Sequence, residues 1–328
     1  VSTALSILTP IDTISQMFRE SGVGNFWSFV NLLTAQEGRD DESGRPDVAK
    51  KNVYEASTYL ELPDYFAPYP YIYTGYRVNF SWKLCWESMF KMHNETVNIW
   101  TEFIPFLVCL VLLFVVMAVD PILVASSGQD RTAVALGLFC VLILRALCSG
   151  LAHLLHCQSR RAYVVFWAVD YISICVCVLA MSIVFGRFTF YCLPQQQVFF
   201  NISVCGLFLS TIVSVVFVSS AAIRTGSFIL FVLFANGVPF VYQLTTRVAG
   251  GASEDIPNEY LMWWCLNSAL VSMGLLIKAT SIPERFFPGK LDNWGASHQW
   301  WHLFVTSGNV LTYFAWRTYL DWRHRTPC

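Results

Sequence analysis

From residue 103 onward the chain is a succession of uncharged, apolar runs separated by short polar breaks. A helix needs about 20 apolar residues to cross the hydrocarbon core of a bilayer. Runs of that length fall at 102–120, 132–156, 163–186, 197–221, 226–246, 260–280 and 297–320. Pro194 with Gln195, Gln196 and Gln197 divides the third run from the fourth, and Arg224-Thr225-Gly226 divides the fourth from the fifth. The pattern predicts an all-α, polytopic membrane protein of seven transmembrane helices over 101–322, with no room for a sheet domain. Residues 1–61 read as an N-terminal, partly disordered segment, with a flexible charged linker from Glu37 to Lys51. No signal peptide is expected at 1–20, where Asp12 and Gln16 interrupt the apolar residues. Residues 62–80, rich in Tyr and Pro, suit an irregular segment at the membrane interface, and 81–100 an amphipathic helix leading into the first span. Residues 323–328 are left as a tail.

Composition sharpens this picture. Of 328 residues, 55% are hydrophobic and 13% charged, against about 25% charged in a soluble domain. Mean hydropathy is +0.50. A net charge of −1 offers no basic surface for nucleic acid. The eleven cysteines include no CxxC pair, so neither a disulfide scaffold nor a structural zinc module is expected. Lys and Arg near the membrane, among them Arg77, Lys83, Lys91, Arg160, Arg161 and Arg285, favour a cytoplasmic N-terminus and an external C-terminus, although Arg317, Arg323 and Arg325 weigh the other way.

Ionisable groups inside spans are costly unless paired or bound, and are functional candidates for that reason. Here they are Arg145, His153, His156, Asp170, His298 and His302. His153 precedes and Asp170 follows the loop at Arg160-Arg161, while His298 and His302 follow the loop bearing Arg285, Lys290 and Asp292. Parity puts both loops on one side of the membrane. Counting about 1.5 Å per residue places the groups in one layer about 10–18 Å deep. His298 and His302, four residues apart, share a helix face. With His153 they make three imidazoles with an open fourth position, the donor set of a catalytic zinc site. Asp170 could hold or deprotonate a metal-bound water, and Ser149, four residues before His153, could contact a substrate carbonyl. His156 is expected to face another helix or the interface, and Arg145 to snorkel or to pair with a carboxylate such as Glu102 or Asp170. A hydrogen-bonded network between helices, without metal, is the competing reading.

These residues resemble the progestin and adipoQ receptors. Met92 to Trp100 (MHNETVNIW) is similar to that family's segment before its first span, and Tyr71 to Arg77 (YIYTGYR) to the aromatic motif of its membrane progestin receptor branch. Ile282 to Asp292 (IPERFFPGKLD), followed by Ser297, His298, Gln299 and His302, is similar to its approach to the seventh span. The set Ser149, His153, Asp170, His298 and His302 also matches the wider superfamily that includes alkaline ceramidases. The similarity covers residues 65–320. The resemblance implies a seven-helix receptor unlike the rhodopsin-like ones, with zinc at His153, His298 and His302. In adiponectin receptors that site goes with ceramide amide hydrolysis; in the progestin branch the role is a rapid, non-genomic response to steroids. In one departure, Thr101-Glu102 stands where the family usually has Thr-His, which changes the polar contacts of the first span.

The leading expectation is a plasma-membrane receptor for a steroid or lipid-type signal with a zinc site in the bundle. The alternative is a zinc-dependent lipid amide hydrolase whose product is the signal. The expected partners are the lipid bilayer, a steroid or sphingolipid ligand, and a protein hormone or G protein. A transporter is disfavoured, since no inverted repeat or pair of broken helices is visible.

Overall fold

The computed structural model describes residues 51, 53–218, 221–248, 256–326 and 328. The leading stretch 1–20 and the charged linker, apart from Lys51, lie outside them. Ser81 accepts a hydrogen bond from the Leu84 amide to open α1 (Trp82–Ser88). The chain then turns before α2 (Thr96–Val119), so the expected amphipathic helix is reduced to seven residues. After α3 (Pro121–Ala125), α4 (Gly128–Leu138) passes through a π-helical turn, Phe139–Leu144, into α5 (Arg145–Leu155). Then come α6 (Arg160–Thr189), α7 (Pro194–Phe217), α8 (Ala221–Val248), α9 (Asn258–Thr280) and α10 (Ser297–Arg325).

Helix starts follow local chemistry. Asp120, Ser127 and Ser159 cap α3, α4 and α6 through their side chains. Pro194 occupies the first turn of α7, where its missing N–H costs nothing. The break between the fourth and fifth runs falls earlier than Arg224-Thr225-Gly226. Helix α7 ends at Phe217 and α8 has begun by Ala221, and Arg224 Nη1 donates to the Val218 carbonyl (3.1 Å), so that Arg ties the two helices together.

Among the described residues, six helical stretches are long and apolar enough to cross a membrane: 96–119, 128–158, 160–189, 194–217, 223–246 and 258–286. The chain therefore forms an all-α, polytopic membrane bundle. Helix α10 matches these in length, at 29 residues, but not in apolarity, because its buried face carries His302, Asn309 and Thr312. In the bundle α2 packs on α5 and α10, α5 on α6, α6 on α7 and α8, and α9 along α10.

The two ends of the bundle are built differently. At the end where α10 finishes, Arg317 pairs with Asp120 (2.9 Å), Arg187 with Asp130 (2.7 Å), and Arg323 lies over the Trp322 and Tyr191 rings. A disulfide joins Cys192 to Cys328 at that end. This pair, 136 residues apart, was not legible in the cysteine spacing. At the other end residues 53–80 fold over the helix ends, with Ser57 and Tyr76 exchanging backbone hydrogen bonds (2.6 and 3.0 Å). Phe66, Ile72, Tyr76 and Val78 of this cap pack on Tyr163 and Val164 of α6.

Candidate metal centre

His153 lies in the last turn of α5, and His298 and His302 in the first two turns of α10. Helix α2 packs on both α5 and α10, and the three rings meet at centroid separations of 5.0, 4.9 and 4.7 Å. One nitrogen from each lies within 4.8 Å of the others, a group that could hold a metal ion. The Nε2 atoms of His153 and His298 are 3.3 Å apart.

The Nδ1 atoms of two rings are engaged behind this centre. His153 Nδ1 donates to Glu95 Oε2 (2.8 Å). Thr101 Oγ1 already donates to the Val97 carbonyl (2.8 Å), so it accepts from His302 Nδ1 (3.0 Å). Both rings are thereby held as the tautomer whose Nε2 lone pair faces the centre, the arrangement in which outer partners orient metal-binding histidines. Three imidazoles, two of them backed in this way, fit a divalent ion such as zinc.

The segment 92–100 is the device that aims Glu95. Burial, and secondarily the nearby Arg77, push His93 down to about 2, so it stays neutral. Its Nε2 donates to the Ser88 carbonyl (3.0 Å), and its Nδ1 accepts from the Glu95 amide (3.1 Å). Asn98 Nδ2 donates to Glu95 Oε2 (2.7 Å) from one turn on. Neither Glu95 nor Thr101 is among the site residues expected from the sequence. The one available signal was an acidic residue flanked by polar side chains at the threshold of an apolar run.

Three buried charges hold the elements that carry the histidines. Arg77 donates to the carbonyls of His153 (2.5 Å) and Leu154 (3.0 Å) and to Ser88 Oγ (2.7 Å), which places a cation at the negative end of α5. Asp292 accepts from the Tyr73 and Thr74 amides (3.1 and 2.9 Å), fastening the cap to the loop before α10. Glu284 accepts from the Ser297 amide (2.7 Å) and hydroxyl, capping α10 where Ala296 has no side chain to do so. At Gly75, with φ +83°, a Cβ would meet the Asn94 amide at 2.9 Å, so the cap needs a glycine to approach that closely.

A cavity of about 320 Å³ runs inward from the histidines, within the range of roughly 300–1,000 Å³ usual for small-molecule sites. His298, His302, Ser149, Asp170 and Arg145 line it, with Trp264 and other apolar residues opposite. Asp170 Oδ1 is buried without a hydrogen-bond partner. One cavity is thus shared by Ser149, Asp170, His298 and His302. The histidines sit at helix ends and are buried by the cap, while Asp170 lies ten residues into α6. His156 stands apart, its Nδ1 donating to the Ala152 carbonyl (2.9 Å) and its ring packing on Phe66 and Trp167. Arg145 pairs with Glu102 at 2.8 Å.

A model of the haemolysin-III-related family matches residues 90–313. The chain is 27% identical over 281 residues to human "Progestin and adipoQ receptor family member 3", covering 83% of this chain and 88% of that protein. It is 27% identical over 288 residues to "Heptahelical transmembrane protein 1" of Arabidopsis thaliana, covering 84% of each. It is 29% identical over 278 residues to "Adiponectin receptor protein" of Drosophila melanogaster, covering 80% of this chain and 60% of that one.

Proposed function

The chain belongs to the haemolysin-III-related family, and from that membership we propose that it is a seven-helix, zinc-dependent lipid amide hydrolase of the ceramidase type. One observation carries the reading: three imidazoles converge beside a largely apolar cavity that also presents Ser149 and an unpartnered Asp170 oxygen. His153, His298 and His302 would hold the zinc, whose chemistry when bound is to lower the pKa of a water to about 7. Asp170 takes the proton of the attacking water and returns it to the leaving amine. Ser149 donates a hydrogen bond to the amide carbonyl, and the apolar walls hold the lipid chains.

A receptor for a steroid or lipid signal is the second reading, favoured by the receptor names of the human and fly relatives. The two readings are compatible if the hydrolysis product is the signal. With α10 as the seventh crossing, the termini lie on opposite sides. Disulfides persist in oxidising compartments, so the Cys192–Cys328 pair supports an external C-terminus. The Cys85 and Cys157 thiols, 3.5 Å apart at the opposite end, support a reducing, cytoplasmic side there. The plasma membrane is the proposed location.

The test is metal analysis of the purified protein together with a ceramide hydrolysis assay. We expect about one zinc per chain. His302→Ala should lose zinc, turnover and thermal stability together, since metal binding is linked to folding. His156→Ala should keep the metal. Asp170→Asn should keep zinc and lose turnover. An intact protein without zinc, or without ceramide turnover, would sink the hydrolase, and turnover surviving in Asp170→Asn would remove Asp170 as its base. Saturable progestin binding with no ceramide turnover would install the receptor in its place.

A further inference from the structure

Arg145 sits within the membrane-spanning stretch 128–158, lines the cavity and is 94% buried, being 6% exposed. A cation at that position is costly, and its neighbours show how it is tolerated. Nη1 donates to Glu102 Oε1 (2.8 Å) and Nη2 to Glu102 Oε2 (3.0 Å), an end-on fork, while Nη2 also donates to Thr306 Oγ1 (3.1 Å). A guanidinium has five N–H groups. Three are engaged here, and Nε is buried without an acceptor. Desolvating a donor without an acceptor is unfavourable. A ligand oxygen in the adjoining cavity would relieve that cost.

The spacing says where such an oxygen would lie. Arg145, Ser149 and His153 follow at intervals of four along α5, on one face and about 6 Å apart. On α10, His298, His302 and Thr306 follow at the same interval. His153 meets His298 and His302 at one level, and Arg145 meets Thr306 at a deeper one. The charge says what kind of oxygen it is. Glu102 already neutralises the guanidinium, and a carboxylate arriving there would face Glu102 as well. The remaining N–H groups therefore suit a neutral acceptor.

We propose that Arg145 is a second polar anchor of the cavity, which donates to a neutral hydroxyl or ketone oxygen carried by the lipid about one helical turn from its amide carbonyl. The position of the amide rests on the hydrolase reading; the anchor itself does not need turnover. Its test is a binding titration read by the fluorescence of the cavity tryptophans Trp167, Trp264 and Trp301. The probes are a short-chain ceramide and its analogue bearing a hydroxyl one helical turn's length along the acyl chain. The zinc-loaded protein should bind the hydroxylated analogue about tenfold tighter, the worth of one hydrogen bond to a charged donor. Arg145→Lys keeps a charge beside Glu102 but loses the fork and Nε, and should reduce the preference to near unity with zinc content unchanged. The double variant Glu102→Gln/Arg145→Met removes both charges at once, leaving no lone buried ion, and should give the same result. Equal affinity of the intact protein for the two lipids, binding of neither, or a preference that survives in both variants overturns the anchor. Preference without hydrolysis would instead remove the hydrolase reading and leave the anchor standing.

Discussion

Glu95 does not line the cavity beside the histidines, yet it decides which nitrogen His153 offers. Its carboxylate accepts from Nδ1 and so keeps the Nε2 lone pair toward His298 and His302. Replacing it with Gln removes the charge and leaves either an amide N–H or a weaker oxygen facing Nδ1. Loss of such a backing partner costs about 10–100-fold in metal affinity. Glu95→Gln should therefore weaken zinc binding by that order in a competition titration while the protein remains folded. Unchanged affinity would show that packing against Trp167, whose ring centre is 5.1 Å away, orients His153 unaided.

At the scale of elements, the centre depends on how two helices end. Helix α10 begins at Ser297, one residue before its first candidate ligand, and the Ser297 amide is met by Glu284 from thirteen residues upstream. A carboxylate there both satisfies free N–H groups and complements the positive end of the helix. Glu284→Ala should cost about 1–2 kcal/mol of stability and lower zinc affinity with it, because the frayed turn carries His298. Thermal unfolding with and without excess zinc would check this, and added zinc should recover part of the loss. The π-helical turn just upstream of α5 turns the face that carries Arg145, Ser149 and His153 relative to α4. A regular helix through 139–144 would point that shared face in another direction.

Across the whole molecule the two ends of the bundle serve different purposes. The disulfide end holds helices together far from the histidines, so Cys192→Ser should lower the melting temperature, by the equivalent of about 2–4 kcal/mol, with zinc content unchanged. Acid should act at the same end. Burial works to raise the Asp120 carboxyl, but hydrogen bonds from Tyr313 and the Ile122 amide, with the guanidinium of Arg317, outweigh it and hold the group below its usual range. A carboxyl depressed in the folded state stabilises above its unfolded pKa, and that contribution is lost as pH falls through the folded value. The melting temperature should thus fall below about pH 4, and Asp120→Asn should flatten that limb. An acid limb of the same slope in the variant would assign it to other carboxylates. Tags placed at the two termini of intact cells give the orientation: only the C-terminal one should be reached without permeabilisation.

The sequence by itself determined the membrane bundle, because a span declares itself through some twenty apolar residues whatever its neighbours are. It also determined the candidate ligands, since three histidines in apolar runs are too costly to be casual. Six of the seven runs recur as apolar helices of spanning length. The seventh, α10, is the least apolar because it turns His302, Asn309 and Thr312 inward, a fact of packing that composition reads only as polarity. Tertiary structure alone decided what backs the ligands. Glu95 and His153 are 58 residues apart, Arg77 and His153 are 76 apart, and Asp292 and Thr74 are 218 apart. No local period links such positions; they meet only because the cap folds over the helix ends. The pairing of Cys192 with Cys328 and the burial of the histidines at helix ends rather than in mid-bundle have the same origin. Both depend on which ends the packed helices bring side by side, and that is set by side-chain contacts spread over the whole chain.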